Sequence, residues 1–489
     1  MAKFFTIFLL FFSSLSFGNN LQISPVTLST SSGSSYLNFS ISWENSWRVS
    51  SNPGNWDAVW IFFKRRDCAA IQWHHVNISD QDADHTATAP LFVDAYADKK
   101  GVMIYRLSDG AGNITNANIQ IKLDAPPAGT FEYKVSGIEM VYINQGSFYL
   151  GDGVSTYTFK TGSSLNPYLV TGETAIPMSP SGTDLWSTSN TLGAFTLPAT
   201  YPKGFNAFYC MKYEISQGQY ASFLNNINQD AAQNRFDPVN SNISRYTISG
   251  VWPNITAAVP DRACNWIGFE DLAAYLDWSG LSPMTELEFE KVCRGSGNFP
   301  IAGEFAWGGN QITDADAFVP GTEDLPTEAI STTITPGTGL ANYTNFGILG
   351  PLRCGFAAKN TTTRFEAGAA YYGVMELSGN VHERCYNVDS STLGMAPSFT
   401  GTHGDGELSI TPSPGFANQN WPGEGALSTD VEYYSVAARG GAWSSPNNNN
   451  GDMVKVSDRN AYIINTSVQQ PDSKGRSASF GGRGVSRRQ

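Results

Sequence analysis

Positive charge is scarce in this chain: 30 Lys and Arg stand against 43 Asp and Glu, a formal net charge of −13. A phosphate-binding surface needs clustered cations, so nucleic acid is not an expected partner. Histidine and cysteine are also few, five and six among 489 residues. No C-x-x-C occurs, which argues against a zinc ribbon or a thioredoxin-like site. H-x-x-x-H, H-E-x-x-H and G-x-S-x-G are missing too, so the usual zinc and serine-hydrolase routes have no foothold. The adjacent His74 and His75 would point to opposite faces of a strand and could not readily share a metal. Beyond the N-terminus no apolar run approaches the roughly 18 residues of a membrane-spanning helix.

What is present begins with "MAKFFTIFLLFFSSLSFGNN". Lys3, the apolar stretch Phe4–Phe12 and the small residues up to Gly18 have the layout of a secretory signal peptide over residues 1–18. The mature chain is therefore expected to be exported, to the periplasm or beyond the cell, without a transmembrane anchor. In such a compartment the even set Cys68, Cys210, Cys264, Cys293, Cys354 and Cys385 permits bridges. Buried thiols with one or two disulfides are expected. Arg476, Arg483, Arg487 and Arg488 make the C-terminus locally basic and are expected to be solvated.

From residue 21 to about 124, "YLNFSISW", "DAVWIFFKRR" and "GVMIYRLS" read as strands separated by Gly, Asn, Ser and Pro clusters. This predicts an all-β sandwich over 19–128, immunoglobulin- or fibronectin-like. "DAPPAGT" (Asp124 to Thr130) reads as a linker, because its paired prolines stiffen it and remove backbone donors. A chain beginning near Phe131 is expected to fold alone. Downstream, Ser216 with Gln219 and Thr285 with Glu288 have capping-box spacing, each ahead of an apolar helical face. "GFEDLAAYLDWSG" is a third helix, stopped by Gly280. Short helices among Gly-rich irregular chain form an α+β pattern, with long polar loops at about 152–195 and 389–432.

Several stretches, in order, carry a resemblance: "GIEMVYINQGSFYLGD", "FYCMKYEISQGQYASFL", "GFEDLAAYLDWSGLSPMTELEFEKVCRG", "EFAWGG", "YYGVMELSGNVHERCYN", "ARGGAW" and "SASFGGRGVSR". Together they resemble the sulfatase-modifying-factor family, whose enzymatic member is the formylglycine-generating enzyme. The resemblance covers about 137–489 and implies a domain over 136–489 with a C-type lectin-like fold of low regular-structure content. That enzyme oxidises a peptide cysteine with copper and oxygen, its copper held by two cysteines after the Gly-Gly-aromatic turn. Aligned on that motif, Ser445 and Asn450 stand at the two cysteine positions. Cu(I) is soft and selects thiolates, so hydroxyl and amide oxygens do not replace them and no copper is expected. His382 stands where the family has tryptophan, and Ser282 replaces the arginine of the turn "LSPMTE", leaving that turn without its paired charge.

The family's Gly-Asn-x-x-Glu motif implies a structural Ca²⁺ here, with Asn380 and Glu383 supplying side chains and Val381 its carbonyl. The alternative is a turn in which Asn380 bonds the backbone. A second family calcium site keeps Asn342 but has Cys354 where an aspartate would fall. The segment "AWSSPNNNN" is then an amide-rich surface, with Trp443, Ser445, Asn447, Asn448 and Asn450 as candidate ligand-binding residues. Trp421, Tyr433 and Tyr434 would either add stacking surfaces or pack inside. Three readings follow: an exported non-catalytic binding or structural protein for a glycan or protein ligand; an oxidase of the formylglycine-generating type acting on protein cysteine; and a ligand-binding protein diversified at its C-terminus by targeted mutagenesis of adenines.

Overall fold

The computed structural model describes residues 20–488 apart from 69, 127, 188–193, 237, 326, 345, 360–361, 389–402, 410–414, 419–420, 422–435, 446–450 and 461–474. The signal-like segment, Tyr433, Tyr434, Asn447, Asn448 and Asn450 lie outside the described residues. Among the described residues the chain is mostly β with four α-helices, and its strands close no barrel.

Ten strands carry the argument: β1 (Ser34–Val49), β2 (Asn55–Asp67), β3 (Leu91–Ala95), β4 (Val102–Arg106), β5 (Gly110–Lys122), β6 (Phe131–Ile143), β7 (Phe208–Met211), β8 (His382–Tyr386), β9 (Val436–Arg439) and β10 (Gly484–Ser486). The helices are α1 (Gln217–Asn226), α2 (Gln229–Arg235), α3 (Phe269–Ser279) and α4 (Glu286–Arg294). An antiparallel sheet runs in the order β3-β4-β2-β6-β7-β10. A second layer, built on β1 and β5, faces β2, β3 and β4 across an apolar core.

The first hundred residues and the rest of the chain share this sheet. β6 follows the Pro-containing link directly and pairs with β2 over eleven positions, from Phe131↔Asp67 to Val141↔Asp57. Its far end, Met140–Ile143, pairs with β7. The cause is visible in β2, whose central run "AVWIFF" is apolar on both faces. Val59, Ile61 and Phe63 join Leu37, Phe39, Ile41 and Trp43 of β1 in one core. Ala58, Trp60 and Phe62 point the other way and join Tyr209, Tyr220, Phe223 and Trp278 in a second. A strand with one solvated face alternates apolar and polar residues; β2 does not, because both of its faces are covered. Polar atoms cross the same seam: Trp60 Nε1 donates to Ser279 O (2.8 Å) and Asn55 Nδ2 to Tyr372 O (2.6 Å).

The helix signals work locally as expected. Ser216 Oγ accepts from Gln219 N (3.2 Å) while Gln219 Oε1 accepts from Ser216 N (3.0 Å), and Thr285 and Glu288 repeat the arrangement at α4. α3 stops at Gly280, whose φ of +74° favours glycine. α4 departs from the amphipathic reading: all nine residues are buried, Glu286, Glu288, Glu290 and Lys291 included. The expected bridges are also absent: all six cysteines are free, with Cys68 exposed and Cys210, Cys264, Cys293 and Cys385 buried.

Candidate functional site

The motifs of the C-terminal half converge on two facing turns. β8 pairs with β9, so Glu383 lies opposite Arg439. The chain then turns at Gly440 and Gly441, with φ of +77° and +67°. A Cβ at Gly440 would sit 2.6 Å from Glu383 Oε2 and 2.8 Å from Leu377 O, so only glycine fits. Gly379 N donates to Gly440 O (2.7 Å) and Trp443 N to Asn380 O (2.9 Å), locking the two turns together.

Trp443 and Ser445 are both buried. Trp443 Nε1 donates to Ala478 O (2.9 Å). Ser445 Oγ accepts from Ala442 N (2.9 Å), and Ser445 N donates to Ala442 O (2.9 Å). These two side chains therefore serve the protein's own backbone. Trp421 is likewise in the core, its ring 5.1 Å from that of His403.

The residues implied for calcium are brought close together, and most of their atoms are engaged, whereas Glu383 Oε2 and Asn342 Oδ1 are buried without a partner among the described residues. Asn380 has a left-handed backbone (φ +66°), its Oδ1 accepts from Leu352 N (2.7 Å) and Asn342 Nδ2 (3.3 Å), and its Nδ2 donates to Glu214 Oε2 (2.5 Å). Val381 N donates to Glu214 Oε1 (3.0 Å). Glu383 Oε1 receives Arg483 Nε (3.0 Å) and Nη2 (2.6 Å). Burial pushes the carboxyls of Glu376 and Glu383 up to about 7, and burial, with Glu383 beside it, holds that of Glu214 well above the ordinary carboxyl value. An ion bound through Glu383 Oε1 would have to displace a buried guanidinium, and one at Asn380 Oδ1 the Leu352 N–H, which leaves Glu383 Oε2 as the unpartnered carboxylate oxygen of the set. Among the described residues no three His, Cys, Asp or Glu side chains are grouped to hold a metal. His382 is buried against Phe480 (5.5 Å), and burial holds its imidazole down to about 4.

Behind the turns lies a charge network that the sequence reading missed. Arg439 donates to Glu286 Oε1 (3.0 Å), Glu290 Oε1 (2.9 Å) and Val456 O (2.7 Å). Arg459 holds both oxygens of Glu286 at 2.8 Å. Arg294 closes the set on Glu290 (3.1 Å) and Glu304. Side chains this deeply buried keep their charge only because each is paired. The C-terminal arginines are paired as well: Arg476 and Arg483 are buried, and Arg487 and Arg488 are half-buried. Arg476 grips Asp271 (2.6 and 2.7 Å), Arg483 grips Glu383, and Arg488 reaches Asp98 in the first hundred residues. Arg487 binds both oxygens of Glu288 at 2.6 Å and Pro283 O at 2.7 Å. The turn at Ser282 therefore has a paired arginine after all, brought from the tail.

The thiols are poorly placed for metal chemistry. Burial pushes Cys210 up to about 12 and drives Cys264, Cys293, Cys354 and Cys385 well above the ordinary thiol value. A thiolate ligand needs the opposite shift.

With this geometry in view, the comparison with protein families is specific. Residues 128–469 match the family described as the sulfatase-modifying factor enzyme 1-like domain. The chain belongs to the sulfatase-modifying factor family. No curated protein matches it.

Proposed function

We propose that this is an exported, non-catalytic member of the family that binds a polar ligand, a glycan or a protein. Its organisation would be a β-sandwich over 19–128 and a C-type lectin-like domain over 136–489. The observation that carries the reading is the pair Ser445 and Asn450 at the positions of the copper-binding cysteines. Ser445 is fully buried and bound to Ala442 N, so it presents no ligand atom to a metal. The five thiols that burial holds protonated support the same conclusion. We also propose that the Asn380 turn is held without calcium, by Leu352 N, Asn342 and Glu214. The apolar segment after Lys3 supports export, and among the described residues no helix is long and apolar enough to cross a membrane.

The test is a competition titration of the mature chain with Cu(I) against a chromophoric chelator. The account expects the chelator to keep the metal at all protein concentrations. Withdrawal of one equivalent of Cu(I) per chain would favour the oxidase reading.

A further inference from the structure

A cleft of about 1220 Å³ opens between the β1–β2 hairpin and the segment 353–375. It exceeds the roughly 300–1,000 Å³ of common small-molecule sites, which suits an extended ligand. Trp47 and Pro53 come from the hairpin side, Tyr371 and Tyr372 from the other, so neither half of the chain makes the cleft alone.

Its charge runs against that of the whole molecule. In a chain of net charge −13, the lining holds Lys212, Arg353, Lys359 and Arg364 and one acid, Glu44. The two exposed ones are held by neutral groups: Lys359 Nζ donates to Ile330 O (2.8 Å) and Arg364 Nη1 to Ala369 O (2.9 Å). Arg353 Nε donates to Glu328 O (3.1 Å) and has the Glu376 and Asp261 carboxyls near it. Carbonyl partners orient a cation without neutralising it, so its charge remains for an incoming anion. Lys212 is the most telling. It is only 5% exposed, and its Nζ sits 4.5 Å from the Trp47 ring centroid. Among the described residues it makes no ion pair or side-chain hydrogen bond. Burial pulls its pKa down, and the carboxylates that pull it back up at longer range, Glu139, Asp57 and Glu376, do not line the cleft. Asp57 is already engaged by Trp43 Nε1 (2.9 Å), Ser46 Oγ (3.1 Å) and Trp47 N (2.9 Å).

We infer that this cleft is a binding site for an acidic saccharide, with Lys212, Lys359 and Arg364 facing its carboxylates and Trp47 and Tyr371 stacking on its sugar rings. Aromatic faces suit the apolar face of a sugar. An acidic peptide is the competing occupant, but one of its main routes, adding a strand to a free sheet edge, is closed here. At this point β1 has none: Arg48 pairs with Gly110 on one edge and with Trp56 on the other. The cleft stands apart from the Gly440 turn, so the assignment holds whichever reading of that turn is right.

Titration calorimetry of the full mature chain tests this, with tetragalacturonate as the probe and cellotetraose and tetraglutamate as comparisons. Tetragalacturonate should bind, weaken as salt is raised, and lose at least about tenfold in affinity in the double variant Lys359→Glu, Arg364→Glu. Both residues are exposed, so the variant should stay folded, and its melting curve is recorded beside that of the parent. Cellotetraose should not bind measurably. Absence of tetragalacturonate binding, binding untouched by the double variant, or tighter binding of tetraglutamate would each overturn the assignment.

Discussion

Arg483 donates from both Nε (3.0 Å) and Nη2 (2.6 Å) to one carboxylate oxygen of Glu383, Oε1, with both side chains fully buried. The pair joins the Gly-Asn-x-x-Glu turn to the C-terminal tail and occupies one of the two carboxylate oxygens that a calcium ion could use. Breaking a buried pair from one side typically costs about 3–5 kcal/mol, because the remaining charge is left uncompensated. Glu383→Ala should therefore lower stability by that order with or without calcium. Melting curves of the parent in millimolar Ca²⁺ and in excess chelator should coincide, since an ion that does not bind the folded state cannot stabilise it. A rise in melting temperature that Glu383→Ala abolishes would contradict this.

The ladder between β2 and β6 makes a prediction about folding. Removing the first hundred residues strips β6 of eleven paired positions and uncovers the core that Trp60 and Phe62 share with Tyr209 and Trp278. An unpaired apolar strand edge is an aggregation site. We propose that the two halves fold as one unit. A chain starting at Phe131 should aggregate or unfold without a cooperative transition, while the mature chain unfolds in a single step by both circular dichroism and fluorescence. Cooperative unfolding of the shortened chain at a temperature near that of the parent would show that the halves are independent.

Lys64 adds a pH signature to the same seam. It is buried, and its Nζ donates to Trp278 O (2.7 Å) and Gly406 O (2.5 Å). Burial pushes its pKa down from the ordinary 10.5 to about 7, although Glu407, Asp277 and Asp405 pull it up. Between these values the unfolded chain binds the extra proton, so this group makes stability rise as pH goes from about 7 to 10.5. Below pH 7 the proton is bound in both states and the contribution is flat. Lys64→Met cannot titrate. Across pH 7 to 10 the parent should gain a few kcal/mol relative to the variant, on the order of 1.4 kcal/mol for each pH unit. A constant difference between the two melting profiles would mean that Lys64 is charged inside the seam.

What could be read from the sequence divides by range. The capping boxes at Ser216 and Thr285 and the glycine stop at Gly280 are local devices, readable over three or four residues. The Gly440–Gly441 turn was also legible, because positive φ leaves few alternatives to glycine. The tail arginines were not. Arg476 and Asp271 are 205 positions apart, and no periodicity relates them. Their burial depends on a partner that only the fold supplies. Between these extremes stands β2. Its unbroken "AVWIFF" signals a strand covered on both faces, but the residues that cover the second face, Tyr209, Tyr220, Phe223 and Trp278, lie too far along the chain for any periodicity to name them. The candidate ligand residues divide in the same way. Ser445 and Trp443 were correctly linked to the turn, but hydroxyl and indole N–H do not reveal from sequence whether they face a ligand or, as here, backbone atoms of Ala442 and Ala478.

The most direct test of the account is oxidation of a sulfatase-type cysteine peptide. The mature chain, loaded with Cu(I) and supplied with oxygen and a thiol reductant, is incubated with the peptide, and conversion of cysteine to formylglycine is followed by mass spectrometry. With Ser445 and Asn450 in place of the thiolate pair, conversion should not exceed that of a control containing metal and reductant alone. Repeated turnover above that control would show that the chain is an oxidase with a different metal site, and would contradict the non-catalytic reading.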